Sequence, residues 1–281
     1  ILHRARFVKV RMSSLLLVVT GASKGLGQAI GVAFCEHMPG VTRMKALLVA
    51  RSQEGLTETK EKMETVAAAH EIALEASIHI MDLANLDTLD ENIDTLLNQA
   101  ESSAEYDRVV IVNNAGSLGH LGPLLDIKSL RDLQQNLDFN VTSSLWLSLR
   151  LAKSRMKSPS CVVVNISSLC AIEPFPTMGT YCTGKAARDM FHNVWAKELG
   201  DKANVKLLNY APGALATNMT EVLRQADELD SNLKTFFRGA HDSGDLIPPS
   251  KTAERMVQLV WKNEFQSGSH VDYWDLVASI R

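Results

Sequence analysis

Six short aliphatic runs constrain this chain more than anything else in it: LLLVV (15–19), ALLV (46–49), SIHIM (77–81), VVIV (109–112), CVVV (161–164) and VKLL (205–208). Most lack the alternation of apolar and polar residues that marks a strand with one wet face, so they read as strands covered on both sides. The gaps between them are long enough for helices and carry helical patterns: Leu26, Ile30, Ala33 and Phe34 in one, Leu130, Leu133, Leu137, Val141 and Leu145 in another. Strand and helix alternating six times predict an α/β fold with a doubly wound, mostly parallel sheet. Such sheets bind their ligands at the carboxyl ends of the strands, near the point where strand order reverses.

No Pro-, Gly- or Ser-rich linker divides the 281 residues, which predicts one domain over 14–281. Residues 214–250 stand apart: polar, rich in Asp and Lys and closed by GDLIPPS, they read as a flap beside the substrate site. Before Met12 the chain carries four Lys or Arg and no acid. Residues 1–13 therefore read as an extension outside the fold, either a transit-peptide remnant or a bland basic arm, which leaves organellar targeting open. A net charge of −3 gives no footprint for nucleic acid or an anionic membrane, and small-molecule work is expected. The longest aliphatic run falls far short of the ~20 residues of a membrane span. Cys35, Cys161, Cys170 and Cys182 show no C-x-x-C pairing, which favours reduced thiols in the cytoplasm and no metal site.

The segment TGASKGLGQAI (20–30) follows the first run and opens a helical pattern. Gly21, Gly25 and Gly27 permit a tight turn and let backbone N–H groups approach a pyrophosphate at a helix N-terminus; Ser23, Lys24 and Leu26 share that loop. The spacing G-x-x-x-G-x-G is neither the usual dinucleotide fingerprint nor the phosphate loop of nucleotide hydrolases. Arg51 ends the second run, where an NAD enzyme places an acid for the ribose 2′-hydroxyl. With Lys24 it favours a 2′-phosphate, hence NADPH/NADP+; two solvated surface cations are the bland alternative. Asp82 and Leu83 end the third run, where a carboxylate can meet adenine or cap the next helix. In NNAGSLG (113–119), Asn113 is expected to tie strands together, and Asn114, Ala115 and Gly116 to leave room for a ribose.

Asn140 falls on the apolar stripe of the Leu133–Leu145 pattern, and a buried amide must find partners or cost about 1–3 kcal/mol. Ser168 follows CVVVNIS, while Tyr181 and Lys185 stand four residues apart and share one face if a helix starts there. The three can converge on the cofactor crevice. Tyr181 is then a proton donor to a carbonyl oxygen that Ser168 orients, and Lys185 holds the nicotinamide ribose. Asn140 anchors a water that links Lys185 to solvent. A phenol ordinarily titrates near 10; bringing it to about 7 requires ~4 kcal/mol, which the Lys185 ammonium and a nicotinamide cation are expected to supply.

Together these residues resemble the short-chain dehydrogenase/reductase family over about 14–276, which implies a Rossmann-type, nicotinamide-dependent oxidoreductase. PGALAT (212–217) matches that family's P-G-x-x-x-T segment. The resemblance places Pro212, Gly213, Leu215 and Thr217 beside the cofactor, with Thr217 on the carboxamide, and implies a homodimer through helices near 127–157 and 181–199. NNAGSLG, NISSLCA, YCTGKAARDM, LNYAPGALAT and FQSGSHVDYWD are similar to the branch that reduces ketones on pterin side chains in tetrahydrobiopterin synthesis. That likeness implies a substrate contact for Asp272, whose carboxylate would accept from the paired N–H donors of the pterin, together with Gly213, Ser168 and Tyr181. Two alternatives stand beside it: a reductase of vicinal diketones of the benzil type, and a dinucleotide-binding sensor without turnover.

Overall fold

The computed structural model describes residues 13–101, 106–155, 158–200 and 204–278. Its centre is a seven-stranded, fully parallel sheet in the order β3-β2-β1-β4-β5-β6-β7. The strands are β1 (Ser13–Thr20), β2 (Val41–Ala50), β3 (Ala73–Ile80), β4 (Arg108–Asn113), β5 (Cys161–Ile166), β6 (Val205–Ala211) and β7 (His270–Asp272). The expected strands are all present, and Ser13, placed by the sequence outside the fold, opens β1. The other expected extension residues, 1–12, lie outside the described residues. Strand order reverses between β1 and β4, which puts the switch point at the ends of Thr20 and Asn113.

Both faces of the sheet are covered, which is why its central strands are apolar without interruption. Leu15, Leu17 and Val19 face one layer with Val110, Val164 and Leu208, under α1 (Gly25–Glu36), α2 (Gln53–Ala69) and α9 (Pro249–Lys262). Leu16, Val18, Ile111, Val163 and Leu207 face the other, under α3 (Leu89–Glu101), α5 (Ser143–Arg155) and α6 (Gly179–Leu199). Each such Leu or Val, fully buried, contributes roughly 1.5–3 kcal/mol relative to exposure. The edge strand β3 is less covered: Leu74, Ala76 and Ile78 pack against the core, while Ala73, Glu75 and Ile80 are exposed. Serines set helix starts: Ser52 Oγ accepts from Gly55 N at the start of α2, and Ser129 Oγ from Asp132 N at α4 (Leu130–Leu137).

One expectation changes. The pattern from Leu130 to Leu145 is not one helix with a buried leucine stripe: a π-helical turn over 138–142 joins α4 to α5, and the leucines lie away from the core on both sides of it. Leu130 is 80% exposed and Leu133, Leu137, Val141 and Leu145 are half-buried, whereas Asn136, Asn140, Ser143, Leu147 and Ser148 face inward. Residues 214–250, read as a flap, are largely helical. They form α7 (Asn218–Gln225) and α8 (Ser231–Asp242), anchored by a bridge between Leu215 and Ile247. Leu223 and Leu229 close a small apolar cluster with Leu118, Cys170 and Met178, and Phe175 and Tyr181 pack against it. Thr177, at φ +62°, accepts from Asp230 N at 2.8 Å and so ties this helical pair to the loop before α6.

Candidate active site

The glycine loop is built for close approach. Gly21 (φ +66°) and Gly25 (φ +56°) occupy the left-handed region that only glycine adopts readily. A Cβ on Gly27 would stand 2.1 Å from Gly21 O and 2.6 Å from Asn114 Nδ2, so the turn, the helix and the end of β4 are packed backbone to backbone. Asn114 holds them there: its Nδ2 donates to Thr20 O at 3.0 Å and Gly21 O at 3.2 Å, and Thr20 Oγ1 accepts from Asn114 N and Ala115 N, both at 3.1 Å. Lys24, the residue before α1, provides no side-chain cap, so the first-turn N–H groups of Gly25, Leu26 and Gly27 are available to an anion. This donor set fits a pyrophosphate.

Thr217 closes the loop from the far side, its Cγ2 3.6 Å from where a Gly25 Cβ would stand. Its segment is fixed by Gly213 (φ +80°) and by backbone bonds of Ala214 and Ala216 with Ile247 at 2.8 and 3.0 Å. A cleft of about 430 Å³ is lined by Arg51, Ala84, Ser117, Asn136 and Thr180. Arg51 is exposed at its mouth. Asp82 is also exposed and accepts from Ala84 N at 3.0 Å, while Asn85 caps the next helical turn; Leu83 is buried. Asn113 joins β4 to α5 through Ser148 rather than linking strands, because its side chain points into the helix layer.

Ser168, Tyr181 and Lys185 converge as their spacing predicts. Ser168 leaves β5 in extended conformation, its Oγ accepts from Cys170 N at 3.2 Å, and its hydroxyl is among the groups that draw the Tyr181 phenol down. Tyr181 and Lys185 lie one turn apart on α6, with Nζ 5.4 Å from the ring centroid. Lys185 is buried and donates to Ile166 O at 2.6 Å. Burial, then the neighbouring Arg188, push its ammonium down to about 7, against the pull of Asp189. The expected lowering of Tyr181 does not hold for the protein by itself. Desolvation, with Cys170 beside it, raises the phenol above its ordinary value, and the cation that opposes this is Arg188. Lys185, half neutral near pH 7, is too weak a charge to do so.

Asn140 sits on the π-helical turn, where its Oδ1 accepts from Ser117 N at 2.8 Å and its Nδ2 donates to Ser117 O at 3.2 Å. Its Cβ lies 3.4 Å from where one on Gly184 would stand, next to Lys185. Gly116 packs on the same amide, 3.3 Å from Oδ1 to its ideal Cβ. Asp272 ends β7 opposite Ala211, immediately before Pro212 and Gly213. One of its oxygens accepts from Trp274 N at 2.9 Å while its own N–H donates to Asp275, a reciprocal cap on α10 (Tyr273–Ala278).

A row of polar residues, of which sequence reasoning singled out only Asn113, crosses the sheet. Asn113, Asn165, Asn209 and His270 pair in register across β4 to β7 and all face α5 and α6. Asp189 gathers the last three: its carboxylate accepts from Asn165 Nδ2 at 2.8 Å and faces His270 Nδ1 at 2.6 Å, and its carbonyl accepts from Asn209 Nδ2 at 3.4 Å. Arg188, 1% exposed, donates to Asn113 O at 2.6 Å and Ala115 O at 3.2 Å. The signal was an Asn recurring at one offset near the ends of three otherwise apolar strands.

Residues 16–228 match the family model described as short chain dehydrogenase. The chain is similar to sepiapterin reductase of Rattus norvegicus, 34% identical over 270 residues that cover 95% of this chain and 98% of that one. It is also similar to benzil reductase ((S)-benzoin forming) of Bacillus subtilis (strain 168), 30% identical over 88% of this chain and 93% of that one. The crystal structure of the KRED1-Pglu enzyme has the same fold, with a TM-score of 0.75 at 22% identity over 91% of this chain and 99% of that one. No described helix is long and apolar enough to cross a membrane. With the glycine loop, the serine, the tyrosine and the lysine at one sheet edge, the chain belongs to the short-chain dehydrogenase family and is an oxidoreductase that binds a nicotinamide dinucleotide.

Proposed function

We propose that this chain reduces ketones on pterin side chains, sepiapterin and 6-pyruvoyl-tetrahydropterin among them, using NADPH. The observation that carries the reading is the placing of an acid, Asp272, on the same sheet edge as Ser168, Tyr181 and Lys185. A carboxylate there has a free oxygen for the N–H donors of an aminopyrimidinone, whereas an apolar diketone gives it nothing to accept. The likeness to sepiapterin reductase supports the same assignment. A second reading, reduction of vicinal diketones, is favoured by the benzil reductase likeness and needs only the reducing residues.

The bound cofactor supplies a hydride. Tyr181 is the proton donor to the carbonyl oxygen, and its raised pKa keeps the phenol protonated at neutral pH, the form a reduction requires. Ser168, which acts on that phenol, orients the oxygen and stabilises charge developing on it. Lys185 holds the ribose and, with a pKa of about 7, can return a proton to Tyr181 near physiological pH; Asn140 would hold the water behind it. Gly21, Ser23, Lys24, Gly25, Leu26 and Gly27 would cradle the pyrophosphate, Arg51 the 2′-phosphate, Asp82 and Leu83 the adenine, and Asn114, Ala115 and Gly116 the ribose. Pro212, Gly213, Leu215 and Thr217 would flank the nicotinamide.

A homodimer in the cytoplasm belongs to the same proposal. It is supported by the outward Leu137, Val141 and Leu145 next to the exposed Met190 and Val194 of α6, and by four free thiols. The test is NADPH oxidation with sepiapterin and benzil side by side: turnover of sepiapterin at the higher kcat/KM supports the proposal, and turnover of benzil alone replaces it with the second reading.

A further inference from the structure

The strand that carries Asp272 is poorly held by the sheet itself. β7 is three residues long, lies at the edge and pairs only with β6. Two neighbouring backbone bonds, Asn209 N to Ser269 O at 3.0 Å and Gly268 N to Leu207 O at 2.7 Å, extend its docking. Val271 packs into the core on one face, and on the other the polar tie to α6 is His270, whose Nδ1 lies 2.6 Å from Asp189 Oδ2. Asp189 is buried and fixed from its other side by Asn165. Its carboxylate raises the His270 imidazole above its ordinary range.

The heights agree. Side chains two apart on a strand share a face, so Asp272 points to the same side as His270, about 6.6 Å nearer the carboxyl edge. On α6, which runs back along the sheet, Lys185 precedes Asp189 by four residues, a rise of about 6 Å towards that same edge. Pairing Asp189 with His270 therefore brings Asp272 level with Lys185, next to the turn that begins with Tyr181.

We propose that Asp189 and His270 are a positioning pair that fixes the substrate-selecting acid Asp272 at the height of Tyr181 and Lys185, so that the reducing helix and the selecting edge of the sheet move as one unit. The inference rests on the reading of Asp272 as the pterin anchor. It makes His270 a determinant of substrate affinity without contact to substrate.

The test uses His270→Val, which suits a strand and removes the donor, and His270→Asn, whose amide nitrogen can stand where Nδ1 does. His270→Val is expected to raise KM for sepiapterin about tenfold, the scale of a lost charge-assisted hydrogen bond, with kcat and KM for NADPH within about twofold. His270→Asn is expected to recover most of that loss. Equal rises in KM for sepiapterin, benzil and NADPH, no rise at all, or no recovery in His270→Asn would each overturn the proposal, leaving a brace for the fold. Hydrogen exchange over residues 266–276 in the protein without substrate reads the pair directly. Faster exchange in His270→Val supports it, and unchanged exchange overturns it. Should wild type reduce benzil and not sepiapterin, the pterin reading fails, and the exchange result still decides whether the pair holds β7.

Discussion

Replacing Lys185 by Met should make the protein more stable while abolishing turnover. Lys185 is buried, and its ammonium is held at about 7 rather than the ordinary 10.5, chiefly by desolvation. The folded state therefore binds fewer protons than the unfolded chain between pH 7 and 10.5, and stability rises with pH across that window. At ~1.4 kcal/mol per pH unit, the buried cation costs the fold about 4 kcal/mol at pH 7. Met fills similar volume but leaves Ile166 O without its 2.6 Å donor, a loss of about 1–3 kcal/mol. The net gain is about 2 kcal/mol, or roughly 4–8 °C in Tm for a chain of this size. Thermal melts of both proteins without cofactor, from pH 6 to 9, check this: Lys185→Met should melt higher, with the gap narrowing as pH rises. A variant that melts lower at every pH would refute the reasoning, showing that the bond to Ile166 outweighs the burial of charge.

Tyr181→Phe removes the proton donor and little contact area, so kcat should fall by about 10²-fold or more while NADPH binding, followed by fluorescence titration, stays nearly intact. Retention of more than about a tenth of wild-type kcat would reassign the proton donor. Arg51→Ala should raise KM for NADPH far more than for NADH, since only the former carries a phosphate for the guanidinium; equal losses would remove the basis for NADPH preference.

The central strands were legible because burial on both faces leaves a continuous apolar run, and the convergence of Ser168, Tyr181 and Lys185 followed from strand end and helix turn. The inward face of the Leu130–Leu145 segment was not legible. A leucine stripe normally marks the core, but here the buried face lies one residue away from it and carries Asn136, Asn140 and Ser143. β7 is too short for any periodicity to show. The direction of the Tyr181 shift depends on desolvation, which spacing cannot report, and the role of Arg188 depends on carbonyls brought to it from β4. The helices of the 214–250 segment were not legible because they bury little: Thr220 and Leu223 on α7 and no residue on α8.

The claim that this edge selects a pterin is tested most directly at Asp272, and Asp272→Asn is the informative variant. Its amide oxygen can still accept from Trp274 N and keep the cap on α10, while the charge that would meet the pterin is gone. The measurement is the ratio of kcat/KM for sepiapterin to that for benzil, in wild type and variant, at saturating NADPH. A charge-assisted bond lost together with donors left unpaired is worth about 2–5 kcal/mol, so the ratio should fall by roughly 30-fold or more. An unchanged ratio would contradict the account, making Asp272 a helix cap with no part in choosing the substrate.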